Sequence, residues 1–92
     1  MFSKKFGKFR ITITKHGFER IAERRIPGEE VVKTILQAAE QELFHGRGEY
    51  MIENRKYNFS LVVAVHSNNI KIVTALSGTG CYRQAGTELI AV

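Results

Sequence analysis

The chain reads as an α+β domain, with two N-terminal helices packed on one face of a three- to four-stranded antiparallel sheet. Three observations predict this: a period-two segment near the start, two segments of helical period after it, and three further strand-like segments separated by polar turns.

Lys8 to Thr14 places Phe9, Ile11 and Ile13 on one side and Arg10, Thr12 and Thr14 on the other, the alternation of a half-buried strand. From Lys15 the period changes, and Phe18, Ile21, Ala22 and Arg25 fall at helical spacing. Ile26-Pro27-Gly28 interrupts that helix, and Glu29 and Glu30 supply the acidic first turn of a second one. Its apolar stripe is Val31, Val32, Ile35, Leu36, Ala39 and Leu43, ending near Gly46-Arg47-Gly48. Glu49 to Asn54, Tyr57 to His66 and Ile70 to Leu76 then read as strands, with Asn54-Arg55-Lys56 and Ser67-Asn68-Asn69 as turns. Leu61 to Val65, almost continuously apolar, suits a central strand. Thr87 to Val92 reads as a last edge strand.

No repeat, low-complexity tract or linker divides the 92 residues, so one domain spanning 1–92 is expected. The formal charge of +5 is uneven: net +6 over residues 1–25, −3 over 26–50 and +2 over 51–92. A concentrated basic end attracts polyanions by counterion release, and RNA, DNA and acidic proteins all qualify. The single cysteine, Cys81, excludes an internal disulfide and leaves no ligand cluster for a structural zinc; no metal and no cofactor are expected. No apolar stretch approaches the ~20 residues of a bilayer span, and Met1 to Phe6 lacks the apolar core of a signal peptide, so a cytoplasmic protein without a membrane partner is expected. P-loop, Gly-x-Ser-x-Gly and Cys-x-x-Cys patterns are missing from the sequence.

His16 and Arg20 stand one helical turn apart at the start of the first helix, and Arg24 extends the line by another turn. Histidine is the side chain that titrates near neutral pH, and an arginine fork suits a phosphate. A helix start also presents backbone N–H groups to an anion. Plainer readings stand beside these. A histidine there also serves as a cap or a solvated residue, and Arg20 also pairs with Glu19 or Glu23. His45 and His66 read as incidental.

The elements Ile13-Thr14-Lys15-His16, Arg20, Arg24 to Val31, Leu61 to Val65 and Ile72-Val73-Thr74-Ala75-Leu76 occur in an order and spacing that resembles domain-of-unknown-function family 4258, over about residues 11 to 77. That family is similar to the barnase, EndoU, colicin and RelE group of ribonuclease folds. The resemblance implies a RelE/barnase-like sheet and a toxin-like, metal-independent endoribonuclease, with His16 and Thr74 at its active positions. Such an enzyme cleaves RNA by 2′-hydroxyl attack and needs a base, an acid and groups that stabilise the phosphorane. His16 would serve as acid or base and Arg20 as phosphate clamp. Arg24, Lys15, Tyr82 and Arg83 would bind substrate, and Thr74 would donate to a phosphate oxygen. Thr74 inside a β-branched strand also has a purely structural reading. An antitoxin or immunity protein with an acidic surface would be the protein partner. The alternative is a noncatalytic basic module that binds nucleic acid or an acidic protein through Lys4, Lys5, Lys8 and Arg10. A homodimer paired through a sheet edge is a third reading, and the oligomeric state is open.

Overall fold

The computed structural model describes residues 2–92. Its elements run β1 (Phe2–Phe6), β2 (Phe9–Ile13), α1 (Lys15–Glu23), α2 (Gly28–Glu40), β3 (Gly48–Asn54), β4 (Phe59–His66), β5 (Asn69–Ser77) and β6 (Thr87–Ala91). The six strands form one mixed sheet in the order β1-β2-β5-β4-β3-β6.

This overturns the expected RelE/barnase-like sheet of three to four antiparallel strands. The hairpin β1–β2 and the meander β3–β4–β5 are antiparallel, but β2 pairs parallel with β5 and β6 pairs parallel with β3. Both parallel pairings join segments far apart in sequence, which leave no local trace in the residue pattern. Strand β1 escapes the period-two reading because Lys4 occupies the same phase as Phe2 and Phe6, opposite Ile11 of β2.

Helix α1 is capped by Thr14, whose hydroxyl oxygen accepts from the Gly17 amide at 2.9 Å. Helix α2 starts after Pro27 with Glu29 and Glu30 in its first turn. Both helices close in the same way. Ile26 N–H donates to Ile21 O and Leu43 N–H donates to Ala38 O, over Arg25 (φ 52°) and Glu42 (φ 56°). These are Schellman ends with a charged residue where glycine is usual. Helix α2 therefore stops at Glu40, and Leu43, expected as part of its stripe, packs from the turn beyond it.

α1 packs on β5 and α2 on β3, both on one face of the sheet. The core between them includes Ile35 and Ala38 of α2, Ile52 of β3, Leu61 and Val63 of β4, and Ile72 and Ala75 of β5, all fully buried. Each such Ile, Leu or Val contributes about 1.5–3 kcal/mol by leaving water. Asn54 Nδ2 donates to Thr34 Oγ1 at 2.8 Å, and the Thr34 hydroxyl donates to Glu30 O, fixing the end of β3 to α2. Among the described residues, no helix is long and apolar enough to cross a membrane.

Candidate functional site

Strand alternation sends every second residue to the face opposite the helices, and the register arranges these residues in rows that run across the strands. The first row is Lys5 (β1), Arg10 (β2), Asn69 (β5) and His66 (β4). The second is Ser3, Thr12, Lys71, Ala64, Glu49 and Thr87, spanning all six strands. The third is Thr74, Val62, Met51 and Leu89, and the fourth is Leu76, Ser60, Glu53 and Ala91.

The first two rows, over β1, β2 and β5, are bare and basic. Lys5, Arg10, Asn69, His66 and Lys71 are all exposed. Arg10 Nη1 donates to Ser3 Oγ at 3.0 Å, and Thr12 Oγ1 lies 3.2 Å from Asn69 Oδ1. Among the described residues, Lys5, Arg10 and Lys71 enter no ion pair; the Lys and Arg side chains that do are Arg20, Lys33 and Arg55. Exposed Arg47 flanks the same patch, sharing a hollow with His66 and Lys71.

Over β4 and β3, the last two rows lie under a roof. Segment 78–86 leaves the end of β5 beside Phe59 and enters β6 beside Glu49, so it crosses β4 and β3 diagonally on the helix-free face. It is tied down at both ends. Gly80 N–H donates to Glu53 Oε2 at 2.6 Å, Ser60 Oγ donates to Gly78 O, and Gly78 N–H donates to Asn58 O. At the far end Arg83 Nη1 donates to Thr87 O and Thr87 Oγ1 donates to Glu49 Oε1 at 2.7 Å. Met51 is consequently 2% exposed although no helix covers its face. A recess of about 290 Å³ remains beside the roof, floored by Met51, Val62 and Thr74, with Tyr82 at its lip.

The residues to which the sequence points fall into separate places. Thr14 and Gly17 anchor the start of α1 to β5. Thr14 N–H donates to Ile72 O, its hydroxyl reaches the Ile72 and Val73 carbonyls at 3.1 and 3.3 Å, and a Cβ at Gly17 would stand 2.8 Å from Ile72 O. This explains the Thr and Gly of Thr14-Lys15-His16-Gly17 as packing requirements. Lys15 and His16 between them are exposed, and among the described residues the His16 side chain makes no hydrogen bond or ion pair. Arg20 is bonded to Glu23 at 2.6 Å, the helical-neighbour pairing, and Arg24 is the exposed C-cap of α1. Thr74 and Tyr82 both line the recess beside the roof, while Arg83 is engaged with Thr87. The side chains of His16, Arg20, Thr74 and Arg83 share no hydrogen bond.

The basic N-terminal segment is also split. Lys5 and Arg10 face the helix-free side, whereas Lys4 and Lys8 lie over the rings of Phe6 and Phe9 at 5.5 and 5.3 Å. Lys71 carries no signal in the sequence, because its partnership with Lys5 and Arg10 exists only through the parallel β2–β5 register. Among the described residues, no group of three or more His, Cys, Asp or Glu side chains is placed to hold a metal ion. No family model matches the chain, and no curated protein or solved structure matches it.

Proposed function

We propose that this protein binds RNA through the bare, basic half of its helix-free sheet face. The observation that supports the reading is the placement of Lys5 directly opposite Arg10, with Lys71 in the next row and no carboxylate paired to any of them among the described residues. Like charges directly opposite on a sheet cost stability, and a bound polyanion removes that cost. A sheet face suits a strand laid flat upon it, with cations on the phosphates and bases turned to side chains, better than it suits the deep, narrow major groove of an RNA duplex. An acidic protein such as an antitoxin or immunity protein would compete for the same cations.

The second reading is the metal-independent endoribonuclease implied by the resemblance to family 4258. The observation that favours it is His16, exposed in the first turn of a helix whose start is fixed by Thr14 and Gly17. In that reading the imidazole accepts the 2′-hydroxyl proton or protonates the leaving oxygen, and Arg20 must leave Glu23 to reach a phosphate.

One experiment covers both. Purified protein is incubated in EDTA with tRNA and mRNA, as wild type, as His16→Ala and as the triple variant Lys5→Gln/Arg10→Gln/Lys71→Gln. Salt-dependent binding of intact RNA, strongly weakened in the triple variant and kept in His16→Ala, is the expected result. Cuts ending in 2′,3′-cyclic phosphate that vanish in His16→Ala would establish the nuclease. Binding unchanged in the triple variant would overturn the role of the sheet face.

A further inference from the structure

We propose that the recess beside segment 78–86 receives one unpaired nucleobase of the bound strand, so that the preferred ligand is single-stranded RNA; this rests on the RNA-binding reading above.

Three features carry the proposal. The floor is apolar, built from Met51 and Val62 with the methyl-bearing side chain of Thr74 beside them, and its volume of about 290 Å³ suits a small planar group. At its lip Tyr82 is 87% exposed, well above the other exposed aromatic rings, Phe2 at 59%, Phe18 at 48% and Tyr57 at 44%. An exposed ring beside an apolar floor is a stacking surface for a base. The recess also adjoins the cations. Ala64 stands two residues from Val62, about 6.6–6.8 Å along β4, and Lys71 is its partner on β5. One nucleotide can therefore place its base in the recess and its phosphate over the basic rows.

The polar wall then selects among bases. Glu49 lines the recess and already holds the Thr87 hydroxyl through Oε1. A carboxylate repels phosphate and accepts from N–H groups, so it faces the edge of a base and not the backbone. Guanine presents two adjacent donors, N1–H and the N2 amino group. Uracil presents one, flanked by two carbonyl oxygens that a carboxylate repels. Guanine is thus favoured over uracil.

The test uses fluorescence anisotropy with 2′-O-methyl RNA octamers, which cannot undergo 2′-hydroxyl attack. The set is a uridine tract, the same tract with one central guanosine, that strand with the guanine removed to leave an abasic position, and the guanosine strand as a duplex. The guanosine strand is expected to bind about tenfold more tightly than the abasic one, within the range of one stacked base. It is also expected to outbind the duplex. Tyr82→Ala should erase the difference between intact and abasic strands, and Glu49→Gln should shrink the preference for guanosine over uridine while leaving the abasic strand unchanged. Equal binding of intact and abasic strands, with binding still dependent on Lys5, Arg10 and Lys71, overturns the recess while the sheet-face reading stands. If no octamer binds, both fall.

Discussion

The two halves of the helix-free sheet face differ in what holds them. Over β4 and β3, Met51 and Glu53 are sealed beneath segment 78–86, and the polar ties from Gly80 to Glu53 and from Thr87 to Glu49 are satisfied inside the protein. Over β1, β2 and β5, Lys5, Arg10 and Lys71 stand in water, like charge beside like charge. The first half is held by its own bonds and opens only at the recess beside Tyr82. The second gives some stability away, and such violations of local rules concentrate where a protein binds something.

Four variants test this contrast. Met51→Ala should be the most costly, about 2–5 kcal/mol, because the cavity it leaves lies between the sheet and its roof. Urea unfolding reads the loss, and a cost below about 1 kcal/mol would show that the roof does not seal this half. Glu53→Ala should follow at about 1.5–3 kcal/mol, since it removes a buried charged acceptor from the Gly80 amide; hydrogen exchange at Gly80 should accelerate before exchange in β4 does. On the other half, Lys5→Gln/Arg10→Gln/Lys71→Gln should leave stability within about 0.5 kcal/mol or raise it slightly, by relieving the Lys5–Arg10 repulsion. The same variant, titrated at low salt, should lower the salt slope of RNA binding by about 2, at roughly 0.7 for each single-strand phosphate that these three cations neutralise. An unchanged slope would mean that they do not meet phosphate. Arg20→Ala should be smallest, below about 0.5 kcal/mol, because its partner Glu23 is exposed. If the nuclease reading holds, however, the same change should lower cleavage while leaving the melting temperature almost untouched.

What can be read from sequence follows the range of the interactions involved. Phe9, Ile11 and Ile13 mark β2 by local alternation, and Val31, Ile35 and Ala39 mark the buried stripe of α2 by local period. β1 is hidden because Lys4 sits where an apolar residue would announce a strand. The parallel partners β2–β5 and β3–β6 are set by chain crossings, which no window of residues records. The same holds for the site. His16 and Arg20 share a helix face, as their spacing requires, but Glu23 lies equally near and takes the guanidinium. Thr74 and Tyr82 line one recess because segment 78–86 folds back over β4 and β3, and Lys71 joins Arg10 only through the sheet.

The two crossings have a geometric consequence. α1 and α2 carry the chain from β2 to β3 over one face, and segment 78–86 carries it from β5 to β6 over the other, each moving three places in the same lateral direction between parallel strands. Paths that match in direction but pass on opposite faces have opposite handedness, so one of them departs from the right-handed rule for parallel connections. That rule originates in packing a helix against a twisted sheet, and segment 78–86 contains no helix to obey it. It is the crossing free to be left-handed. A helix grafted in its place would have to pack with the wrong hand.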